Sequence, residues 1–554
     1  MPIDVQPPSR QFLSTMTTRF ALQRDNWNDY SFRTLYHLHY RHGKEPTDVT
    51  YIGGVKILKQ GQQPDGLDLI RKPFNSLDDS FVSVGTSLDY YQRLNDIPER
   101  RRASVVRALN DTVADPELVG RFSNEPGWER SLFRDNREWR AFLFDAGILY
   151  SGNFNALPDL EQSFSYHPPG SDNPIDFDFS APEPDGYLGP YRRVGPKRKR
   201  TLLPDRIIVL VGRNGSGKST LLTRLARVAF ASPRERATSP LKALGTLAPP
   251  SIGFMRIITI SYSAFDSFIV PGVAARDLTQ MTQDIEKGDG RFVFCGLRDI
   301  AAEVRDDIEN AHKNAVEEGD DEILVERRTS TKLKPVDQLA DEFADLMRRI
   351  RSEDNIDLFN AALEPLFGDA SFGELPDQID SLLASSASAR KIFLGWSTGH
   401  KIALHVVASL VAHARPRSLV LFDEPEAHLH PPLMAAVIHA VRVVLTHVNA
   451  FCVAATHSPV LLQETLARHV RVVRRVGKHL EVKMPPWETF GENVGILTYN
   501  TFGLTASNTD FHKVLDLMIA GGATIEEIDS IFTPGLSGQA RAYVASRIAA
   551  KSAQ

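Results

Sequence analysis

The sequence predicts an α/β fold in which a mixed sheet is flanked by helices, and three segments carry this prediction. Residues 206–230 combine an apolar, β-branched run, a glycine-rich turn and a helical pattern of leucines. Two further apolar runs, at 418–422 and 450–455, each end in polar residues. Such short runs are typical of buried strands, and strands that alternate with helical segments favour a layered α/β domain.

The composition indicates a globular protein of several domains. The chain has 554 residues, of which 42% are hydrophobic and 24% are charged, the usual proportions of a soluble protein. No apolar run approaches the ~20 residues that a membrane span requires, and the first ten residues lack the features of a signal peptide. Two distant cysteines exclude a disulfide framework or a zinc cluster. We therefore expect a cytoplasmic protein that does not enter a membrane.

Composition also changes along the chain and divides it into five segments. Short strand patterns within the first 60 residues predict a β-rich N-terminal lobe, and residues 94–145 read as helical. Between 272 and 390 the chain is charged and mostly helical. We predict a β/α N-terminal part with helical decoration at 1–204, a lobe built on the glycine-rich turn at 205–271, a helical insertion at 272–390, a second α/β lobe at 391–480 and a C-terminal helical tail at 481–554.

The glycine-rich turn has the pattern G-x-x-x-x-G-K-S, from Gly212 to Ser219, directly after the apolar strand at 207–211. It is a phosphate-binding P-loop in the context that such a loop requires. The glycines let backbone N–H groups face phosphate oxygens, and the helix N-terminus adds partial positive charge. Lys218 can reach the β- and γ-phosphates of ATP, and the Ser219 hydroxyl can bind Mg²⁺. The predicted nucleotide-binding residues of the loop are Arg213, Asn214, Gly215, Ser216, Gly217, Lys218, Ser219 and Thr220.

An acidic pair, Asp423 and Glu424, follows the apolar strand at 418–422. At the carboxyl end of a buried parallel strand, such a pair faces the crevice in which these sheets bind ligands. We therefore expect Asp423 to hold Mg²⁺, directly or through water, and Glu424 to act as general base towards the attacking water. A solvated strand end is the alternative for an isolated acidic pair, but the P-loop earlier in the chain favours catalysis.

Two further polar turns complete the set of candidate site residues. His457 follows the apolar strand at 450–455, where a histidine is suited to contact a γ-phosphate and take part in catalysis. Ser397 and Gly399 lie at the start of an apolar helical pattern, where backbone N–H groups bind anions. An ordinary helix N-cap is the alternative interpretation of this second turn.

The order of these motifs, GRNGSGKS, STGHK, LVLFDEPEAHLHP and THS, resembles the ABC-type ATPase heads of the SMC, RecF and OLD-like group. The acidic segment is most similar to that of OLD-like and AAA15/AAA21 ATPases. The resemblance covers about 205–270 and 391–460, and it implies an ATPase that uses ATP and Mg²⁺. It also implies that Ser397 and Gly399 contact the γ-phosphate of ATP on a second subunit. The expected assembly is a head-to-tail homodimer that encloses two ATP molecules, or a higher oligomer.

The chain departs from the pattern of this group at two places. The usual Ser-Gly-Gly-Gln signature is changed to Ser-Thr-Gly-His at 397–400, which keeps the hydroxyl and the second glycine. No Q-loop glutamine follows the strand at 256–261, and Asp266 is a candidate metal or water contact in its place. The sequence LSGQA at 536–540 resembles a signature but comes after His457, so we interpret it as a helix cap.

The resemblance extends to the ATPase subunits of Septu- or retron-associated anti-phage defence systems, because no nuclease module accompanies the ATPase motifs. It implies an ATP-hydrolysing sensor or regulatory subunit that controls a separate effector nuclease chain and has no nuclease activity of its own. The alternatives are a RecF/SMC-like DNA-repair ATPase and a non-hydrolysing, nucleotide-gated scaffold. DNA-stimulated turnover would favour the first alternative, and absence of phosphate release the second.

Nucleic-acid binding is left open by the distribution of charge. The net charge of −5 does not favour binding over the whole surface. The basic string RRVGPKRKR at 192–200 would either contact nucleic-acid phosphates or form a solvated loop. In a chain with net negative charge we favour the solvated loop.

Overall fold

The structure is a computed structural model. It describes residues 2–7, 18–25, 29–41, 49–64, 69–95, 97–134, 139–151, 163–180, 203–231, 238–250, 252–264, 290–306, 330–353, 355–373, 375–477, 479–502 and 510–552, together with single positions between them.

The strands of the described chain form three sheets. In chain order they are β1 (Ile3–Gln6), β2 (Phe20–Arg24), β3 (Leu35–Arg41), β4 (Val49–Lys59), β5 (Phe81–Gly85), β6 (Ser163–His167), β7 (Ile175–Asp178), β8 (Ile207–Val211), β9 (Thr246–Ala248), β10 (Ile257–Ser261), β11 (Phe292–Gly296), β12 (Leu419–Asp423), β13 (Phe451–Thr456), β14 (Val470–Val476) and β15 (His479–Lys483). The N-terminal sheet has the order β1-β2-β3-β4-β5, the central sheet β11-β10-β12-β13-β8-β14-β15, and the small sheet β7-β6-β9.

The α-helices surround these sheets. In chain order they are α1 (Leu88–Asn95), α2 (Glu99–Ala108), α3 (Glu117–Phe122), α4 (Trp139–Ser151), α5 (Lys218–Phe230), α6 (Ser239–Lys242), α7 (Val336–Ser352), α8 (Ile356–Leu363), α9 (Leu375–Ala384), α10 (Ser386–Gly395), α11 (Thr398–His413), α12 (Pro431–Val448), α13 (Pro459–Gln463), α14 (Val494–Phe502), α15 (Asp510–Ala520), α16 (Ile525–Ile531) and α17 (Gly538–Ser552).

The central sheet positions the predicted site residues. All its strands run parallel except β15, which pairs antiparallel with β14. β13 lies between the P-loop strand β8 and the acidic-pair strand β12, and its Thr456 pairs with Val211 while Asp423 pairs with Ala455. Because the carboxyl ends of parallel strands meet at one edge of the sheet, the P-loop, the acidic pair and His457 lie along the same edge. We call it the carboxyl edge.

Alternate residues of the central strands face two separate cores. In β8, Ile207, Val209 and Val211 belong to one apolar cluster, and Ile208 and Leu210 belong to another. Side chains alternate in this way because successive residues of a strand point to opposite faces. The first core is shared with α7, α8, α11 and α12, and the second with α5 and the small sheet. Helices and strands on both faces explain why the central strands are apolar throughout.

The N-terminal sheet and the tail have cores of their own. The sheet packs against α1 to α4 around buried aromatic side chains that include Tyr90, Tyr91 and Trp128. In the tail, α15, α16 and α17 enclose a small apolar cluster. The Ser537 hydroxyl there accepts a hydrogen bond from the Ala540 N–H at 3.3 Å, so the LSGQA sequence caps a helix, as predicted.

The structure differs from the sequence prediction in three segments. The predicted helical insertion at 272–390 contains β11, the edge strand of the central sheet, and its helices α7 to α10 pack into the core. The clustered Pro, Gly, Ser and Asp of residues 152–200 predict a loop, but this segment contains β6 and β7. The hairpin of β14 and β15 was not predicted, because paired arginines interrupt its apolar pattern. Each strand is too short to give a clear periodic signal on its own.

Two other predictions reach beyond the described residues. Within the segment 272–390 the sequence predicts a helix at 298–316. The chain is helical from 300 to 306, and residues 307–316 lie outside the described part of the chain. The basic string at 192–200 also lies outside it.

One helix in the described chain, α12, is long and apolar enough to cross a membrane by length and composition alone. The sequence prediction had recognised no such run. In this fold its apolar side chains, among them Leu433, Val437 and Val441, are buried against the central sheet. The apolar residues that make α12 resemble a membrane span are therefore the residues that pack it against the central sheet.

Candidate active site

The P-loop, residues 212–219, forms the turn between β8 and α5, and its geometry depends on glycine, as Gly212 and Gly217 show. A Cβ on Gly212 would collide with the carbonyl oxygen of Val473. Gly217, the N-cap of α5, has a φ of 98°, in the left-handed region that disfavours side chains. The turn therefore leads directly into the N-terminus of α5, where the backbone N–H groups that open a helix are suited to bind phosphate.

Lys218 is folded over the P-loop. Its Nζ donates hydrogen bonds to the carbonyl oxygens of Gly212, at 2.9 Å, and Arg213, at 3.3 Å. Burial lowers the pKa of Lys218, and the nearby carboxylates of Asp423, Glu424 and Glu426 oppose this shift. The ammonium group thus lies close to the acidic segment and is held by carbonyl oxygens, which phosphate oxygens can replace as acceptors.

The Ser219 hydroxyl lies beside the Asp423 carboxylate at the end of β12. Burial raises the pKa of Asp423 to about 7, and the neighbouring Asp266 carboxylate adds to this shift. Asp266 itself accepts a hydrogen bond from the Ser261 hydroxyl, and Ser261 pairs with Asp423 in the sheet register. The P-loop serine, the first acid of the pair and Asp266 therefore meet at one point of the carboxyl edge.

This group of oxygens fits a Mg²⁺ ion. Asp423 Oδ1 is buried and has no hydrogen-bond partner among the residues that the structure describes, an arrangement that disfavours the ionised carboxylate. A cation beside it would supply the missing partner and reduce the repulsion between Asp423 and Asp266. Carboxylate and hydroxyl oxygens, completed by phosphate and water oxygens, are the ligands that Mg²⁺ prefers. Asp423 and Ser219 are thus the residues that would hold it.

We predict that metal binding to this site weakens as Asp423 becomes protonated. The folded-state pKa of about 7 lies above the ordinary 3.8, so the folded chain retains the proton between these values, and the ionised form becomes dominant only above pH 7. Mn²⁺ affinity without nucleotide should be about tenfold lower at pH 6 than at pH 8, following the ionised fraction. Paramagnetic resonance of free Mn²⁺ measures this. Asp423→Asn should weaken Mn²⁺ binding at both pH values and remove the tenfold difference between them. A tenfold difference that persists in this variant would contradict the assignment.

Glu424 begins the turn that follows β12. Its φ of 50° lies in the left-handed region, which is uncommon for a residue with a side chain. Its backbone N–H donates a hydrogen bond to the carbonyl oxygen of Ala455 on β13 at 2.9 Å, and this bond fixes the turn at the carboxyl edge. A strained conformation held by the surrounding structure is frequent at active sites. The half-buried carboxylate is thus placed next to Asp423 for the general-base role predicted for it.

Glu426 is a site residue that the sequence pattern did not reveal. Its carboxylate accepts hydrogen bonds from the Thr456 hydroxyl at 2.8 Å and from the backbone N–H of His457 at 2.8 Å. The same oxygen that accepts from this N–H lies 2.9 Å from Nδ1 of His457. Because an ionised carboxylate can only accept, Nδ1 carries a proton, and the imidazole presents Nε2 away from Glu426. Glu426 therefore fixes both the backbone and the ring of His457.

The sequence contains the residues that Glu426 contacts, but only the fold shows that they are neighbours. Glu426 follows the acidic pair by two residues, and Thr456 and His457 end the next strand of the central sheet. The contact depends on β12 and β13 being neighbours, which they are. Sequence alone does not state which strands are adjacent.

We predict that Glu426→Gln lowers kcat for ATP hydrolysis by about tenfold with little change in ATP affinity, as expected for a residue that orients a catalytic group. The double variant Glu426→Gln/His457→Ala should be no slower than His457→Ala alone, since both changes remove one function. Glu464→Gln is the matched control, because Glu464 also hydrogen-bonds a histidine, His439, at 2.9 Å. Additive losses in the double variant would show that Glu426 does not act through His457.

The signature turn, residues 397–400, contacts the loop after the acidic pair. Ser397 caps α11 by accepting a hydrogen bond from the His400 N–H at 3.4 Å. A Cβ on Gly399 would lie 3.4 Å from the carbonyl oxygen of His428. None of the contacts described for Ser397 and Gly399 joins them to the P-loop of the same chain. The N-cap is therefore present, and the exposed Ser397 and half-buried Gly399 are not part of the cluster at the carboxyl edge.

A buried hydrogen bond ties α11 to that edge. His405 Nδ1 lies 2.6 Å from the hydroxyl of Tyr262, the residue that directly follows Ser261 at the end of β10. Burial lowers the pKa of His405 to about 3, so its ring is neutral at neutral pH. The signature helix and the segment that holds Asp266 are thus joined through the core.

The remaining predicted P-loop residues differ in their contacts and in their exposure. Arg213 Nε donates a hydrogen bond to the carbonyl oxygen of Phe502 at 2.6 Å, at the end of α14. The Ser216 hydroxyl is buried and lacks a hydrogen-bond partner within the described residues, so a phosphate oxygen would satisfy it. The others, Asn214, Gly215 and Thr220, are exposed or half-buried.

A parallel sheet with a P-loop and an acidic pair at its carboxyl edge defines a P-loop ATPase fold. Residues 288–463 match the protein family described as "AAA domain, putative AbiEii toxin, Type IV TA system". This match supports an ATPase of the ABC/AAA type. The matched segment contains the signature turn, the acidic pair and His457, whereas the P-loop precedes it. The family match therefore does not include the P-loop, and the sheet pairing of β8, β13 and β12 is what brings the P-loop to the acidic pair.

The chain is also similar along most of its length to a curated protein. It is 28% identical over 517 residues to Protein ea59 of Escherichia phage lambda, which covers 92% of this chain and 90% of that relative. The similarity thus includes the N-terminal lobe and the tail as well as the ATPase motifs.

Proposed function

We propose that this protein is a Mg²⁺-dependent ATP hydrolase. The position of the Ser219 hydroxyl beside the Asp423 carboxylate carries this proposal. It joins the P-loop to the acidic pair, two motifs separated by about 200 residues in the sequence, at the place where a nucleotide's phosphates would meet a metal ion. Lys218 lies at the same place, with its ammonium group close to the carboxylates of the acidic segment.

The residues of the site divide the chemistry between them. The P-loop N–H groups and Lys218 bind the phosphates and offset their negative charge. Glu424 orients the attacking water and accepts its proton. His457, held by Glu426, donates a hydrogen bond to the γ-phosphate from Nε2 when that nitrogen carries a proton. Mg²⁺, when bound by Asp423 and Ser219, neutralises charge on the β- and γ-phosphates.

We propose further that two chains associate head to tail and enclose two ATP molecules, either as a homodimer or within a higher oligomer. The turn that would complete the site in trans is available for this role, because Ser397 is exposed and none of its described contacts reaches its own P-loop. A half-site that needs a second subunit makes association depend on ATP, and hydrolysis then shifts the population towards separated chains.

For the biological role we propose a sensor or regulatory subunit of a cytoplasmic anti-phage defence complex that controls a separate effector nuclease. The support is the resemblance of the motif order to OLD-like ATPases and the family description, which names a toxin of a toxin–antitoxin system. The phage origin of the relative bears on neither the partner nor the trigger. The ATPase proposal does not depend on this role.

Phosphate release from ATP by the purified chain tests the ATPase proposal. We expect release with Mg²⁺ and none after chelation by EDTA. Release that is absent under all conditions, with ATP still bound, would identify a nucleotide-gated scaffold instead. Turnover that rises when DNA ends or gaps are added would favour a RecF/SMC-like repair ATPase.

Co-purification tests the defence role. The full-length chain should form a stable complex with the product of a neighbouring nuclease gene, and ATP should change either its stability or the nuclease activity. A DNA-stimulated ATPase that binds no nuclease would contradict the role.

A further inference from the structure

Two adjacent arginines on β14 point to opposite faces of the central sheet. Arg474 pairs directly with Glu481 on β15, and a hydrogen bond from Lys483, with a smaller contribution from Arg474, lowers the pKa of Glu481. Arg475 is the next residue, and successive side chains of a strand face opposite sides. Arg474 therefore belongs to the charged surface of the hairpin, whereas Arg475 lies on the P-loop side.

The guanidinium group of Arg475 lies against the P-loop. Its Nη2, Cζ and Nε atoms are 3.4, 3.6 and 3.7 Å from the point that a Cβ on Gly217 would occupy. The Arg475 side chain is exposed, and the structure gives it no hydrogen bond or ion pair with any residue that it describes. An arginine at a helix N-terminus is unexpected, because the partial positive charge there repels it. A bound anion would remove this repulsion and supply the missing acceptors.

The sheet order indicates which part of an anion Arg475 would meet. β13 and β12, with His457 and the acidic pair, lie on one side of β8, and β14 lies on the other. Asp423, Glu424 and Lys218 therefore define the side of the β- and γ-phosphates. Arg475 lies across the P-loop from these acids, where the α-phosphate of a nucleotide held by the same loop would lie.

We propose that Arg475 is a nucleotide-binding residue of the same chain, and that its guanidinium group donates hydrogen bonds to the α-phosphate of the bound nucleotide. This inference rests on the proposed nucleotide site at the P-loop. It assigns β14, a strand outside every recognised motif, to that site. Because the α-phosphate is not changed in hydrolysis, Arg475 contributes equally to substrate and product binding and leaves the chemical step unaffected.

Calorimetric titration with ADP, ATP and inorganic tripolyphosphate tests this proposal. Arg475→Ala should weaken the binding of all three by about tenfold, the usual effect of a charge-assisted hydrogen bond. It should raise KM for ATP without changing kcat. Arg474→Ala is the matched control, since it removes the same charge from the neighbouring position, and its affinities should remain within about twofold of the wild type. Arg475→Lys should retain part of the affinity as a point charge.

Two results would overturn the inference. Equal affinities for Arg475→Ala and Arg474→Ala would show that Arg475 does not contact the nucleotide. A loss with ADP and ATP but not with tripolyphosphate would show that Arg475 stacks on the base. Neither result affects the proposed ATPase function, which fails only if the wild-type chain binds no nucleotide or releases no phosphate.

Discussion

Replacing Glu424 with glutamine should lower kcat for ATP hydrolysis by about two to four orders of magnitude, while ATP still binds. Glutamine keeps the size of the side chain and one acceptor oxygen but cannot accept the proton of the attacking water. The backbone at this position has a φ of 50° and is fixed by the bond to Ala455, so the substitution should leave the turn intact. Single-turnover phosphate release gives the rate, and titration with ATP gives the affinity.

The same variant provides a test of assembly. If hydrolysis releases the enclosed nucleotides, Glu424→Gln should accumulate as a dimer in ATP, which mass photometry detects. Glu353→Gln is a suitable control. The Glu353 carboxylate accepts a hydrogen bond from Arg415 at 2.8 Å, and neither residue belongs to one of the site motifs. Turnover of Glu424→Gln at the wild-type rate would remove Glu424 from catalysis. A monomer that binds ATP without associating would argue against the enclosed dimer.

Replacing Lys218 with alanine should weaken ATP binding by at least about 100-fold, because a charge-assisted contact to phosphate is lost at a largely desolvated position. The neighbouring carboxylates should increase this loss of ATP affinity. The carboxylates of the 423–426 segment lie close enough to oppose the pKa shift of Lys218, and without the ammonium group they would repel the triphosphate. Fluorescence titration with an ATP analogue measures the affinity.

Lys218 also holds the loop, so its two roles must be separated. Its Nζ donates to two P-loop carbonyl oxygens, and Lys218→Met keeps the aliphatic stem while removing this donor. Lys218→Ala and Lys218→Met should lose ATP affinity to a similar extent. Lys242→Ala, at an exposed lysine, is the control and should bind ATP with wild-type affinity. If Lys218→Met binds ATP as the wild type does, the ammonium group is not the phosphate ligand.

The sequence predicts those parts of the site that lie within one contiguous motif. The P-loop needs its glycines at fixed spacing, and the acidic pair must follow a buried strand, so both are visible without a structure. The strand β11 cannot be predicted from the sequence, because four apolar residues and a glycine in a charged region fit a helix as well as a strand. Its place at the edge of the central sheet is decided by pairing with β10.

The site residues that the sequence does not predict depend on contacts between neighbouring strands. Glu426 reaches Thr456 and His457 only because β12 and β13 are neighbours, and Arg475 reaches Gly217 only because β14 runs beside β8. These partners are far apart in the sequence or lie outside any motif. Their proximity follows from the order of the strands in the sheet. A short sequence pattern can predict a strand but not its neighbours in the sheet.

The buried hydrogen bond between Tyr262 and His405 has a consequence for cooperativity. In the proposed dimer it would link the helix that touches one subunit's ATP to the strand end beside the other ATP. A shift of that helix would therefore alter the metal edge of its own subunit, so that occupation of one site changes affinity at the other. ATP binding to such a pair would be cooperative, with a Hill coefficient that differs from one.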